Sequence, residues 1–210
     1  MVLQRTIVVA AHGTRDTAGV AVAHQLVDAL RARLPGSSVL LGFVDVLGPG
    51  VREVVASAPG PVTVVPTFLS SGYHVRADLP RAVASSQRND VMISAALGPH
   101  PLLVAAMGER LGEAGWHRGD AVVLAAAGSS DPRVGFVATG APRVAPLVAG
   151  LRAAGESRIA IASWLLAPGL FSRRLDTAEA DVVAAPLGTH PKVVDRLIQL
   201  AGVSAVLRSA

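Results

Sequence analysis

One pattern constrains this chain more than any other: an apolar run that stops at a glycine and a small hydroxyl residue, and it occurs twice. Val8-Val9-Ala10-Ala11-His12-Gly13-Thr14 is the first copy, and Val123-Leu124-Ala125-Ala126-Ala127-Gly128-Ser129 is the second. A continuous run of apolar residues ending in a turn reads as a strand buried on both faces, as in a parallel sheet. Three further matches follow in the same order. Gly42-Phe43-Val44-Asp45 pairs with Gly135-Phe136-Val137-Ala138, and Gly72-Tyr73-His74 with Gly169-Leu170-Phe171. Leu97-Gly98-Pro99-His100-Pro101 pairs with Leu187-Gly188-Thr189-His190-Pro191. The chain reads as two homologous halves, 1–115 and 120–210.

Within the first half, further strands are expected at 39–44, 61–68 and 90–96. Helices are expected at 17–34, 49–58, 78–87 and 101–114. Strand–helix alternation of this kind means a parallel sheet with helices on its faces, so the fold class is α/β. The halves differ in length. His12 and Asp45 lie 33 positions apart, whereas Ala127 and Ala138 lie 11 apart. A parallel crossover ordinarily takes at least about 10–12 residues, so the second half is expected to be shortened by about one helix. The apolar strand Val122–Ala126 would then need another cover, and a second copy of the chain, making a homodimer, is the simplest one.

Composition removes whole classes of function. With 51% hydrophobic and 16% charged residues the chain is globular, and no apolar run reaches the roughly 18–20 residues of a membrane span. The first strand begins almost at the start of the sequence, so no signal peptide is expected. There is no cysteine, hence no disulfide, thiolate metal site or cysteine nucleophile, and a cytoplasmic place is expected. The net charge of +4 comes from eighteen arginines and Lys192, scattered without a basic run. Aromatics are 3%, so stacking platforms for nucleic acid are few and no nucleic-acid partner is expected. Scattered guanidiniums suit a small polyanion, carboxylates above all.

The duplication also sorts the polar residues. His12, Asp45 and His74 each follow a first-half strand, and their counterparts are Ala127, Ala138 and Phe171. The scaffold does without these three side chains, so they point to chemistry. His100 and His190 recur before proline at a helix start in both halves and read as structural. Two imidazoles and a carboxylate on one rim suit a first-row divalent metal, with coordination positions left open. There is no H-E-x-x-H pair, P-loop or G-x-G-x-x-G after a strand. A histidine phosphatase would place an arginine directly before His12, where this chain has Ala11.

These residues resemble a known family, the sirohydrochlorin chelatases. The marks are Ala11-His12-Gly13-Thr14, Phe43-Val44-Asp45 followed by Pro49, and Pro66-Thr67-Phe68-Leu69-Ser70-Ser71-Gly72-Tyr73-His74 leading to Asp78-Leu79-Pro80. With the duplicated second half, the resemblance covers nearly the whole chain. It implies insertion of a divalent metal into sirohydrochlorin, an eight-carboxylate tetrapyrrole, on the way to sirohaem or a cobalt corrinoid. Iron is the expected physiological metal, with cobalt and nickel as further candidates and no permanently bound cofactor. The family's active-site histidines fall on His12 and His74, and its acidic residue on Asp45, where many members have glutamate. Arg15 and Arg76 would meet substrate carboxylates, and Ser70, Ser71, Gly72 and Tyr73 would line the substrate. A non-catalytic tetrapyrrole or metal carrier would use the same ligands.

Overall fold

The computed structural model describes residues 5–127 and 143–202. Fourteen strands and helices alternate through them. The first sheet is built from β1 (Thr6–Ala11), β2 (Ser38–Phe43), β3 (Val62–Pro66) and β4 (Val91–Ile93), in the spatial order β2-β1-β3-β4. The second comprises β5 (Ala121–Ala126), β6 (Ile159–Trp164) and β7 (Val182–Val183), in that order. Every pairing within them is parallel. The expected α/β class, with parallel sheets flanked by helices, is the fold observed.

β1 is central because all six of its residues are buried and it pairs on both sides, Thr6 to Ser38 and to Val62. Alternation along the strand divides its side chains between two faces. Ile7 and Val9 join Leu26, Val27 and Leu30 of α1 (Thr17–Arg33). The same cluster holds Leu103 and Ala106 of α4 (Pro101–Glu113) and Val193, Val194 and Leu197 of α7 (Pro191–Leu200). Val8 and Ala10 pack on Val51, Val54 and Val55 of α2 (Val51–Ser57) and on Leu79 of α3 (Leu79–Ala84).

In the second sheet Ile159 and Ile161 meet Val144 and Val148 of α5 (Val144–Ala153) and Leu175 of α6 (Leu170–Leu175). Ala160 and Ala162 on the other face meet Leu111 of α4. Helix α4 is therefore packed on both sheets, with Leu103 and Ala106 toward one and Leu111 toward the other. On β5 the side chains of Val122 and Leu124 stay 46% and 45% exposed, while Val123 and Ala125 are buried. The expected shortening of the second half, with its strand at 135–138, lies outside the described residues.

The repeated histidines are helix caps. His100 Nδ1 accepts the Leu102 N–H at 3.2 Å, and His190 Nδ1 accepts the Lys192 N–H at 3.3 Å. Each precedes a proline in the first helical turn, where the missing N–H costs nothing. Several boundaries differ from those expected. Helix α2 starts at Val51 rather than Pro49, with the Glu53 carboxylate accepting the Gly50 N–H at 3.1 Å. β4 is only three residues long. The helix expected at 78–87 begins earlier, as a π-helical turn over His74–Asp78, and α3 ends at Ala84. Pro80 has no N–H to offer the carbonyl of Arg76, and Leu79 N–H bonds back to His74 O instead, which widens the turn.

Candidate functional site

In a sheet ordered β2-β1-β3-β4 the chain steps from β1 to β2 on one side and then crosses back past β1 to β3 on the other. The crevice beyond the carboxyl ends of β1 and β3 is where open α/β sheets bind their ligands. His12 directly follows β1. Its carbonyl accepts the Asp45 N–H at 3.0 Å, and Ala11 O accepts the Val44 N–H at 2.8 Å. Gly13 then reverses the chain at φ +93°, and a Cβ there would lie 2.0 Å from the Asp45 carbonyl oxygen. Only glycine fits a left-handed position pressed against backbone. Thr67, just past β3, is buried and donates its hydroxyl to Ala10 O at 3.1 Å, which ties the two strand ends together.

The loop after Thr67 delivers His74 to the same crevice. The ring centroids of His12 and His74 are 4.6 Å apart, at an interplanar angle of 46°. Phe68 lies 5.9 Å from His74, stacked, and 6.2 Å from His12, edge-on. Two imidazoles sharing one ion through nitrogen–metal bonds of about 2.0–2.1 Å put their centres roughly 4.5–5.3 Å apart. The observed spacing falls within that span. His74 Nδ1 is 2.7 Å from Asp78 Oδ2. Burial against the cleft wall, and then the neighbouring His74, lower the pKa of His12 below the ordinary imidazole value, with Asp45 pulling weakly the other way. His12 remains open to the cleft; the protein around it removes bulk water without covering it.

Two cavities meet at His12. One, of about 600 Å³, runs between Arg15, Val20 and Ala23 on one side and Leu166, Gly169 and Phe171 on the other. The second, of about 410 Å³, holds both His12 and His74, with Ser70, Phe68, Trp164, Leu165 and Phe171 around them. The far wall comes from the ends of β5 and β6 and the start of α6, where Ala127 and Phe171 occupy the positions corresponding to His12 and His74. The histidines and Arg15 therefore come from the first wall, and the wall facing them is largely apolar. Gly19 lets the walls approach, since a Cβ there would meet Pro168 O at 3.1 Å and Thr14 Cγ2 at 2.7 Å. Asp16, which caps α1, pairs with Arg173 of α6 across the gap.

The sequence-predicted residues are not all gathered here. Asp45 is exposed beside His12, and its carboxylate accepts its neighbour Val46's N–H at 2.7 Å. No group of three histidine, aspartate or glutamate side chains is poised to hold a metal ion among the described residues. Ser70 lines the smaller cavity and Arg15 the larger. Gly72 shapes the turn, its carbonyl accepting from Val75 N and Arg76 N at 3.2 Å each. Ser71, Tyr73 and Arg76 lie outside both linings. The 55%-exposed Tyr73 accepts from Arg81 at 3.1 Å through its hydroxyl. Phe68, Asp78 and the apolar wall escaped the sequence reading. Asp78 stood in the motif that carries the family resemblance, four residues after His74, but nothing there assigned it a role.

The CbiX family matches residues 6–114, just over half of the chain. No curated protein matches it by sequence. Among solved structures, SirB from Bacillus subtilis with Fe3+ has a TM-score of 0.81 at 18% identity, covering 97% of this chain and 96% of SirB. The sirohydrochlorin chelatase SirB from Bacillus subtilis subspecies spizizenii, in complex with cobalt, has a TM-score of 0.74 at 18% identity, with the same coverage. CbiX, described as the terminal enzyme for biosynthesis of sirohaem in denitrifying bacteria, gives 0.67 at 19% identity, over 96% of this chain and all of the other. At these identities the likeness is one of fold.

Proposed function

The chain belongs to the CbiX family, and from that premise we propose that it is a chelatase inserting a divalent metal ion, iron or cobalt, into sirohydrochlorin. The observation that carries this reading is the His12–His74 pair, 4.6 Å apart, facing an apolar wall across the crevice. The names of its structural relatives, which bind iron and cobalt and act on sirohydrochlorin, point the same way.

Metallation asks little covalent chemistry of a protein. The ion must exchange water for macrocycle nitrogens, and two pyrrole protons must leave. His74 serves as a metal ligand, and His12 as ligand or proton acceptor. The lowered basicity of His12 keeps its ring neutral near pH 7, and a neutral ring is what either role requires. Asp45, exposed beside His12, acts through water or by its charge. The apolar wall of Leu165, Leu166 and Phe171 takes one face of the flat macrocycle and turns the other toward the histidines. Arg15, and Arg76, exposed on the π-turn, are free of ion pairs among the described residues and meet carboxylates at the rim. The Ser70–Tyr73 loop borders the same face.

On this reading residues 1–115 carry the site and 120–210 form the degenerate half. The protein acts in the cytoplasm as a homodimer, with iron as its physiological metal. No helix among the described residues is long and apolar enough to cross a membrane. The test follows the absorbance of sirohydrochlorin with Fe2+ or Co2+, with and without the protein. Catalysis appears as a protein-dependent rate with many turnovers. A carrier would bind both partners and leave the rate unchanged, and that result overturns the proposal.

A further inference from the structure

We propose that Asp78 is the positioning residue that fixes His74 as a metal ligand through its Nε2 atom. The inference rests on the reading of His74 as a ligand and goes beyond it to say which nitrogen is used and what holds it.

Asp78 Oδ2 lies 2.7 Å from His74 Nδ1, and the two side chains are 31% and 37% exposed, so the contact is partly shielded from water. An ionised carboxylate only accepts hydrogen bonds. The proton between these atoms therefore sits on Nδ1, and Nε2 is left with a free lone pair. A carboxylate behind a ligating imidazole fixes its tautomer and ring orientation and makes the ligand more basic. The geometry is built into the backbone, since both residues belong to the one π-turn whose Leu79 N–H returns to His74 O. Phe68, stacked at 5.9 Å, limits how the ring can turn. His12 has no carboxylate hydrogen-bonded behind its ring among the described residues; its ring lies against those of Phe68 and His74. The two histidines are thus unlike. His74 is held in one tautomer by a carboxylate, whereas His12 is not.

The test uses the full, metal-free chain and Co2+ alone. Co2+ affinity is measured for the wild type, His74→Ala, Asp78→Asn and Asp78→Glu, and the His74 tautomer is read from its ring 15N shifts. The wild type is expected to carry its proton on Nδ1. Asparagine can donate to Nδ1 and push the ring proton to Nε2, so Asp78→Asn should show that tautomer and bind Co2+ about 10–100-fold more weakly. Asp78→Glu, which keeps a carboxylate, should recover most of the affinity. If His74→Ala abolishes binding while Asp78→Asn binds as the wild type does with an unchanged tautomer, the positioning role is wrong and the ligand reading survives. If His74→Ala binds Co2+ normally, the ligand reading fails and this inference with it. Should Asp78→Asn not fold, a wild-type His74 protonated on Nε2 is enough to overturn the proposal.

Discussion

His12 and His74 hold their ring centres 4.6 Å apart although one follows β1 and the other ends a loop beyond β3. Tight backbone contacts at the ends of these adjacent strands produce that pairing. It makes the two imidazoles one chemical unit, opposed by an apolar wall that carries Phe171 in the place corresponding to His74.

Replacing either histidine should therefore cost more than removing the wall's aromatic ring. His12→Ala and His74→Ala are expected to slow metallation by at least about 100-fold, the scale of a lost acid–base or ligand group. Phe171→Ala removes apolar contact and the seat of the Arg174 guanidinium 5.9 Å from its ring centre, but no ligand or base, and should act mainly on KM, by roughly tenfold or less. Steady-state kinetics on the three variants checks this. A harmless His74→Ala together with a severe Phe171→Ala would reverse the assignment.

The lowered pKa of His12 predicts a pH dependence. Its ring should stay neutral as pH falls through the ordinary value of about 6.5 and become protonated only below it. Metal uptake should be retained down to that lower limb and then lost. Between the two pKa values the unfolded chain binds more protons at His12 than the native one, so stability falls as pH drops across that window and is unaffected above it. An NMR titration of the ring is the measurement. His74→Ala should move it back toward the ordinary value, and Asp45→Asn should lower it further. A shift of the wrong sign in either variant would refute the electrostatic account of the site.

His100 and His190, as helix caps, should act on folding alone. Each cap accepts one helix N–H, and truncation to alanine should cost about 1 kcal/mol. The larger loss is expected at His190, which is 5% exposed and also reaches Glu109 at 3.1 Å. Urea denaturation measures the loss, and Co2+ binding should stay at the wild-type level in both variants.

Gly13→Ala places a methyl group 2.0 Å from the Asp45 carbonyl oxygen at a backbone φ of +93°. The substitution should destabilise by more than about 1 kcal/mol. It should also displace the Asp45 loop from His12, visible as a changed His12 titration. A stable variant with an unaltered His12 would show that this close approach is not needed.

The exposed pair Val122 and Leu124 predicts self-association through β5. Light scattering should report a dimer for the wild type and a monomer for Val122→Lys/Leu124→Lys, with metallation intact. A wild-type monomer at high micromolar concentration would exclude the dimer.

Much of this was legible in the chain because burial and turn chemistry leave local marks. The all-buried β1 and the His12-Gly13 reversal could be read directly. So could the proline-preceded histidine caps, once the duplication separated scaffold from chemistry. The π-turn was not legible, because a pattern that continues into α3 hides a change in hydrogen bonding from i−4 to i−5. The stance of Asp45 was hidden for a different reason. Spacing puts its backbone beside His12, but nothing in the sequence says that its carboxylate will accept the Val46 N–H. The apolar wall was hidden because Leu165 and Leu166 read as ordinary core until the second sheet is set across from the first.

Helix α4 grips both sheets, with Leu103 and Ala106 on one and Leu111 on the other. The gape of the cleft is consequently a property of the core rather than of its loops. Widening it would pull buried apolar surface into water, at about 25 cal/mol for each Å². The Asp16–Arg173 pair, with the Arg173 side chain 63% exposed, could part at little cost without changing the spacing. This packing favours a slot of set width over a jaw. On the proposed function a flat macrocycle would slide in edgewise and leave by the same opening, and repacking Ala106 or Leu111 would alter which discs the slot admits.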